Sequence, residues 1–73
     1  MNKYNAGIAT IHTNIRKILK GRKRGIQAWK VSLLYARRFG TMYSDASITA
    51  RFRQMNDVVC NLSDYTYSIK ENV

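Results

Sequence analysis

The segment that follows Ser44 contains both small side chains and side chains that can form hydrogen bonds. Ala46 and Ala50 are four residues apart, which places both on one face of a helix. A face this slim can enter the major groove of DNA, which is about 12 Å wide. Arginine can form two hydrogen bonds with guanine, and glutamine can do the same with adenine. The side chains expected to lie against base edges are Ser47, Thr49, Ala50, Arg53 and Gln54.

The distribution of charge favours a nucleic-acid partner over an ordinary surface helix with solvated arginines, although that alternative stays open. The formal net charge is +9, and residues 1–40 carry ten basic residues and no acidic one. Residues 41–73 carry three basic residues and all four acidic ones. Such a field attracts polyanions, so the partner is expected to be DNA, RNA, an anionic membrane or an acidic protein surface. A charge that serves only solubility is the further alternative.

Basic side chains outside that helix are candidates for phosphate contacts, which position a protein on DNA without reading its sequence. Most lie in the short connector of residues 21–25 or beside it, and a solvated loop is the alternative for that run. Arg51 lies at the edge of the apolar stripe of its own helix, where a phosphate contact is more natural than a base contact. The phosphate candidates are Lys20, Arg22, Lys23, Arg24, Lys30, Arg37 and Arg51.

Other kinds of chemistry lack the residues they need. The single cysteine, Cys60, excludes an internal disulfide, and together with the single histidine, His12, it is too few for a zinc site. Cys60 is expected to be a buried, inert thiol. No acidic residue is spaced to form a catalytic triad. We therefore predict no enzyme activity, no cofactor and no metal.

The first helix is predicted from apolar residues that recur at intervals of three and four. Ile8, Ile11, Ile15, Ile18 and Leu19 form one face, and the helix is expected from residue 6 or 7 to residue 20. The glycines of the connector end it, and residues 26–27 are expected to form a brief extended stretch.

Two further helices are predicted. The second, from residue 28 to about residue 39, has a wide apolar arc that includes Trp29 and Leu33, so it is expected to be the most buried. Ser44 is a suitable N-cap for the third, which is predicted over residues 45–56. In the third helix, Ile48, Phe52 and Met55 are expected to face the core.

A β-hairpin is predicted after the third helix, because the hydrophobic period changes to two. Val58 and Cys60 fall on one face of the first strand, and Tyr67 and Ile69 on one face of the second. Residues 63–64, Ser-Asp, are the expected turn. The tyrosines of this region either cover the small core or form a contact surface.

The order of these elements is that of a helix-turn-helix followed by a two-stranded ribbon. Over roughly residues 15–70 the chain resembles the short winged helix-turn-helix DNA-binding proteins encoded by bacteriophages and prophages. The resemblance implies that the third helix is the recognition helix. The residues that carry it are Arg-Gly-Ile-Gln-Ala-Trp at 24–29, Arg-Phe-Gly at 38–40 and Tyr-Ser-Asp-Ala-Ser-Ile-Thr-Ala-Arg-Phe-Arg at 43–53.

One feature departs from that pattern. The ribbon of a winged helix usually carries Arg or Lys at its tip, whereas this hairpin has Asp64 there, with Lys70 further on. The hairpin therefore either does not touch DNA, or it serves packing or dimerisation.

The sequence as a whole predicts a mainly α (α+β) single domain over residues 1–73, with three helices and a C-terminal hairpin. We expect a soluble protein in the cytoplasm of a bacterial host cell, with double-stranded DNA as partner, no membrane, and a homodimer as one option. The expected role is that of a transcriptional regulator or an excision-accessory factor. The alternatives are a basic inhibitor or adaptor that binds a host protein, and a sequence-independent RNA binder.

Overall fold

A computed structural model describes residues 3–70, without the side chains of residues 3–6 and 8. Three helices and three strands form a small α+β domain, as the sequence predicts. The expected position of the Ile8 side chain lies outside the described residues. The elements are α1 (Lys3–Leu19), β1 (Ile26–Gln27), α2 (Ala28–Phe39), α3 (Asp45–Gln54), β2 (Val58–Asn61) and β3 (Thr66–Ile69).

Helix α1 buries the face that its periodicity predicts. Ile15, Ile18 and Leu19 are all at most 3% exposed, and Ile11 is half-buried beside them. The helix begins at Lys3, earlier than expected. Burial of each such side chain contributes about 1.5–3 kcal/mol, so this face is a main support of the domain.

The extended stretch after the connector is a strand of the sheet. The sheet is antiparallel, and β3 is its central strand, with β1 on one side and β2 on the other. Ile26 lies opposite Tyr67 in one ladder, and Cys60 lies opposite Tyr67 in the other. Gly25 makes the first pairing possible, because it has a φ of 75° and a Cβ there would lie 2.7 Å from the Tyr67 carbonyl oxygen.

Part of the wide apolar arc of α2 lies at the surface, which corrects the prediction that the whole arc is buried. Val31 and Tyr35 face the core, but Trp29 is 53% exposed and Leu33 is 37% exposed. The side chain of Ser32 is buried instead, and its Oγ has no hydrogen-bond partner among the described residues. The apolar arc of α2 is thus wider than the surface that the other elements cover.

Helix α3 and the hairpin complete the core. Ile48, Phe52 and Met55 are buried, as predicted, although α3 ends at Gln54 rather than at residue 56. The hairpin forms as predicted, with a turn at residues 62–65. Cys60 is exposed, which contradicts the expected buried thiol. Val58, Tyr67 and Ile69 of the hairpin pack against the core, whereas residues 59–65 are exposed.

Candidate nucleic-acid interface

A capping residue defines the start of α3, and its buried residues define which face points outward. The Ser44 Oγ accepts a hydrogen bond from the Ser47 main-chain N–H at 3.1 Å, which satisfies a donor that the helix leaves unpaired. Asp45 lies in the first turn, where a negative charge favours the positive end of the helix dipole. With Ile48 and Phe52 in the core, the opposite side of α3 faces solvent.

The predicted base-contact residues are divided between exposed and half-buried positions. Ser47, Arg53 and Gln54 are exposed, whereas Thr49 and Ala50 are half-buried. None of the five is fully covered by the hairpin. The structure thus brings an arginine, a glutamine and a serine onto the accessible part of one helix.

Several of these side chains already have partners within the chain. The Ser47 hydroxyl accepts a hydrogen bond from the Ser44 hydroxyl at 3.0 Å, and the Thr49 hydroxyl donates one to the Asp45 carbonyl at 2.8 Å. Gln54 Oε1 lies 3.2 Å from His12 Nε2, in hydrogen-bond contact with α1. These contacts limit the rotamers of the side chains before any ligand binds.

A cleft of about 240 Å³ lies between α3 and the hairpin. The Phe52 and Tyr67 rings stack at its floor with their centroids 4.2 Å apart. Burial raises the pKa of the Tyr67 hydroxyl above its ordinary value, and a hydrogen bond with Cys60 raises it further. The cleft is lined by Thr49, Phe52, Arg53, Val58, Cys60 and Tyr67.

The hairpin's part in this cleft was missed by the sequence reasoning. Alternation places Cys60 and Tyr67 on the same strand face as Val58, so the signal for their proximity was present. Because Cys60 was expected to be buried, its exposed position next to Thr49 and Arg53 was not predicted.

A second concave surface, here called the basic depression, has a volume of about 340 Å³ and lies where α1 meets the connector. Apolar atoms form most of its wall, as expected where the aliphatic stems of long basic side chains lie along a surface. Arg16 Nε donates to Asp57 Oδ2 at 2.7 Å across one side. The basic depression is lined by Arg16, Lys20, Gly21, Arg22, Lys23, Asp57 and Ile69.

A third groove, of about 280 Å³, follows the contact between α1 and α2. Arg22 lies at its border with the basic depression, and its Nε donates to the Ile18 carbonyl at 2.8 Å. This bond satisfies a carbonyl at the C-terminal end of α1, where a positive charge is favourable. The groove is lined by Ile18, Arg22, Leu34, Arg37 and Arg38.

The predicted phosphate contacts and the predicted base contacts line different depressions of the domain. Lys20, Arg22 and Lys23 meet at the basic depression, and Arg22 and Arg37 meet at the α1–α2 groove. The remaining three are separate: Arg24 and Lys30 are exposed, and Arg51 is half-buried on α3. Among the three depressions described above, the one beside α3 contains no residue of the connector.

An exposed aromatic contact links α2 to the hairpin turn. Trp29 Nε1 donates to Gln27 Oε1 at 2.6 Å, and Gln27 Nε2 donates to the Asp64 carbonyl at 3.1 Å. The sequence reasoning placed Trp29 in the core and so missed this contact. The feature of the sequence that could have indicated this contact is the two-residue spacing of Gln27 and Trp29, which lie on either side of the junction between β1 and α2.

Within residues 3–70, no three His, Cys, Asp or Glu side chains are grouped so that they could hold a metal ion. No helix in the same range is long and apolar enough to cross a membrane. Comparison of the chain with protein families, with curated proteins and with solved structures found no match.

Proposed function

We propose that this domain binds double-stranded DNA in the manner of a winged helix, with α3 in the major groove. The observation that carries the proposal is the open side of α3, where Ser47, Arg53 and Gln54 are exposed beside the small side chain of Ala46. The order of the helices and strands and the central position of β3 are compatible with a winged helix-like fold.

The excess of positive charge supports the same proposal. With a net charge of +9, the domain attracts the phosphate backbone over long distances and speeds encounter with it. Lys20, Lys23 and Arg24 are exposed, so phosphates of the DNA backbone can approach them. The role we propose is binding rather than catalysis, as in the phage-type regulators and excision-accessory factors that the sequence resembles.

Mobility-shift measurements on fragmented source DNA, with a polyanion competitor, test the proposal. If about five phosphates are engaged, the logarithm of the affinity falls with the logarithm of the salt concentration at a slope near −4 to −5. Some fragments are expected to stay bound in the presence of competitor. Uniform retardation that competitor abolishes would favour sequence-independent binding, and no retardation at all would reject the proposal.

Matched variants separate reading of the sequence from attraction to phosphate. Arg53→Ala is expected to weaken binding to the preferred fragments by about 1–3 kcal/mol and to relax the preference among them. Lys23→Ala is expected to weaken all fragments alike. Lys17→Ala, which removes an equal charge from an exposed position on α1, is the control. Identical behaviour of the Arg53 and Lys23 variants would reject α3 as the reading helix.

A protein partner is the second candidate function, and the exposed side of α2 is the observation in its favour. Trp29 and Leu33 are accessible, and Lys30 and Arg37 are exposed on the same helix, a combination that suits a protein with an acidic surface. In this case Trp29→Ala would abolish capture of a host protein and leave the mobility shifts unchanged.

A further inference from the structure

The hairpin turn presents two large apolar side chains to solvent. Leu62 is 77% exposed and Tyr65 is 66% exposed. Tyr65 has a φ of 56° and is the one non-glycine residue with positive φ in the part of the chain described. This conformation costs an L-residue about 1–2 kcal/mol, and such outliers concentrate at functional positions.

Hydrogen bonds within the turn hold it in this shape. Asn61 Oδ1 accepts hydrogen bonds from the main chain and the hydroxyl of Ser63, at 3.1 and 2.8 Å. Asp64 Oδ1 accepts from the main chain and the hydroxyl of Thr66, at 3.2 and 2.8 Å. The Tyr65 N–H donates to the Asn61 carbonyl at 2.7 Å. Leu62, Asp64 and Tyr65 are exposed on this ordered turn, and Oδ1 of Asp64 is held by Thr66. These three residues are here called the turn knob.

The turn knob and the basic depression lie at opposite ends of the hairpin. Asn61 pairs with Thr66 next to the turn, whereas Val58 pairs with Ile69 at the other end, where Ile69 lines the depression. The two surfaces are complementary in character. The knob offers apolar side chains and a negative charge, and the depression offers an apolar wall and several positive charges.

We propose that the turn knob of one copy of this chain binds in the basic depression of a second copy. Leu62 and Tyr65 pack on the apolar wall, and the Asp64 carboxylate faces Lys20 and Lys23. A nucleic acid is a poorer occupant for the knob, because residues 61–65 contain no cation and Asp64 repels phosphate. Within the depression, the charge of Asp57 is already compensated by Arg16.

The geometry of this contact allows two kinds of assembly. Because the knob and the depression lie at opposite ends of the hairpin, two antiparallel copies can exchange knobs in a closed two-fold dimer. A one-way contact instead leaves one knob and one depression free, and it continues into an open chain or a ring. The inference concerns the protein alone and goes beyond the proposed function.

Sedimentation of nuclease-treated protein over about a hundredfold range of concentration tests the inference. The average mass is expected to rise above that of the monomer as the concentration increases. Leu62→Ser combined with Tyr65→Asn, which keeps a residue that tolerates positive φ, is expected to remain monomeric. Leu33→Ser, at an exposed leucine of α2, is the control and assembles like the natural chain.

Mixing two variants tests whether the knob contacts the depression rather than another knob. The knob variant and Lys20→Glu combined with Lys23→Glu are each expected to be monomeric alone. Because one retains the depression and the other the knob, their mixture forms a 1:1 pair and grows no further. A natural chain that stays monomeric would overturn the inference. So would a knob variant that assembles normally, or a mixture that stays monomeric. No nucleic acid is present, so these outcomes do not test DNA binding, although the assembly uses Lys20 and Lys23, which the proposed function assigns to phosphates.

Discussion

The rings of Phe52 and Tyr67 stack with their centroids 4.2 Å apart and their planes inclined by 28°. This contact joins the inner face of α3 to the central strand of the sheet. Since Phe52 is buried and Arg53 follows it in the helix, the stack also sets the direction in which Arg53 leaves the domain. The orientation of the candidate reading helix thus depends on a hairpin residue.

Loss of the Tyr67 ring is expected to destabilise the domain, whereas loss of its hydroxyl is not. Tyr67→Ala removes the stack and opens a gap beside α3, which should lower the free energy of unfolding by about 2 kcal/mol. Tyr67→Phe keeps the ring and should cost less than about 1 kcal/mol. Urea unfolding measures both. Equal losses in the two variants would mean that the hydroxyl, not the stack, holds the hairpin.

Gly25 and Gly40 offer a matched test of the β1–β3 pairing. Both have a φ near 80°, but a Cβ at Gly25 would lie 2.7 Å from the Tyr67 carbonyl oxygen, while nothing lies within 4 Å at Gly40. Gly40→Ala should cost only the conformational strain, about 1 kcal/mol. Gly25→Ala adds a backbone clash and should cost about 2–4 kcal/mol. Thermal unfolding of the two variants that shows the same loss would contradict the close approach.

The Arg16–Asp57 pair is expected to make stability depend on pH at the acid end. The hydrogen bond from Arg16 holds the pKa of Asp57 below its ordinary value of 3.8. The stabilisation is therefore complete above pH 3.8 and is lost as the pH falls through the lower pKa of the folded state. Both side chains are more than a third exposed, so we expect about 0.2–1 kcal/mol after solvent screening.

Denaturation at a series of pH values checks this dependence. Asp57→Asn should be less stable than the natural chain at neutral pH, and its acid loss of stability should be shallower. Arg16→Gln removes the partner and should flatten the acid limb in the same way. An unchanged limb in both variants would show that the pair does not contribute.

Replacement of Ser32 by alanine is expected to stabilise the domain. Its Oγ is buried without a hydrogen-bond partner among the described residues, so the folded state loses the hydration of this group without compensation. Ser32→Ala is expected to raise the free energy of unfolding by about 0.5–1 kcal/mol. Ser44→Ala provides the contrast, because Ser44 caps α3 and its loss should cost about 1 kcal/mol. A destabilised Ser32 variant would reveal a partner for that hydroxyl.

Cys60 provides a chemical probe of the cleft beside α3. The thiol is exposed, so a maleimide should react with the folded protein. If this side of α3 faces DNA, a bulky adduct next to Thr49 and Arg53 should reduce affinity by about tenfold or more, the equivalent of one lost base contact. Cys60→Ser treated in the same way is the control. Full affinity after complete labelling would place the DNA elsewhere.

Local patterns in the sequence predict all three described helices, together with the start of α3 and the end of α2. The isoleucine spacing of α1 identifies its buried face, and Ser44 and Gly40 mark the ends of α3 and α2. On α2, apolar residues occupy two neighbouring sides of the helix. Their periodicity does not indicate which of the two sides the rest of the chain covers. Trp29 was therefore assigned to the core although it lies outside it. Which side is covered depends on the packing of α1 and α3, a property of the whole domain.

In the hairpin, too, the local pattern of the sequence does not predict which residues the core covers. Alternation places Cys60 and Tyr67 on one strand face, but it does not say how far along the strand the core extends. The positive φ of Tyr65 has no local signal either, because the turn carries neither glycine nor asparagine at that position. The candidate base contacts follow from the pattern of α3, whereas the cleft beside them requires the long-range contact of the hairpin.

The position of β3 between the other two strands has a consequence for synthesis. Residue 26 cannot find its partner at residue 67 until the ribosome has made all of the segment between them. The three helices emerge first and must wait for β3 before the sheet can close. A truncation that stopped before Thr66 would leave both β1 and β2 without a neighbour, so the loss of this one strand would dismantle the sheet.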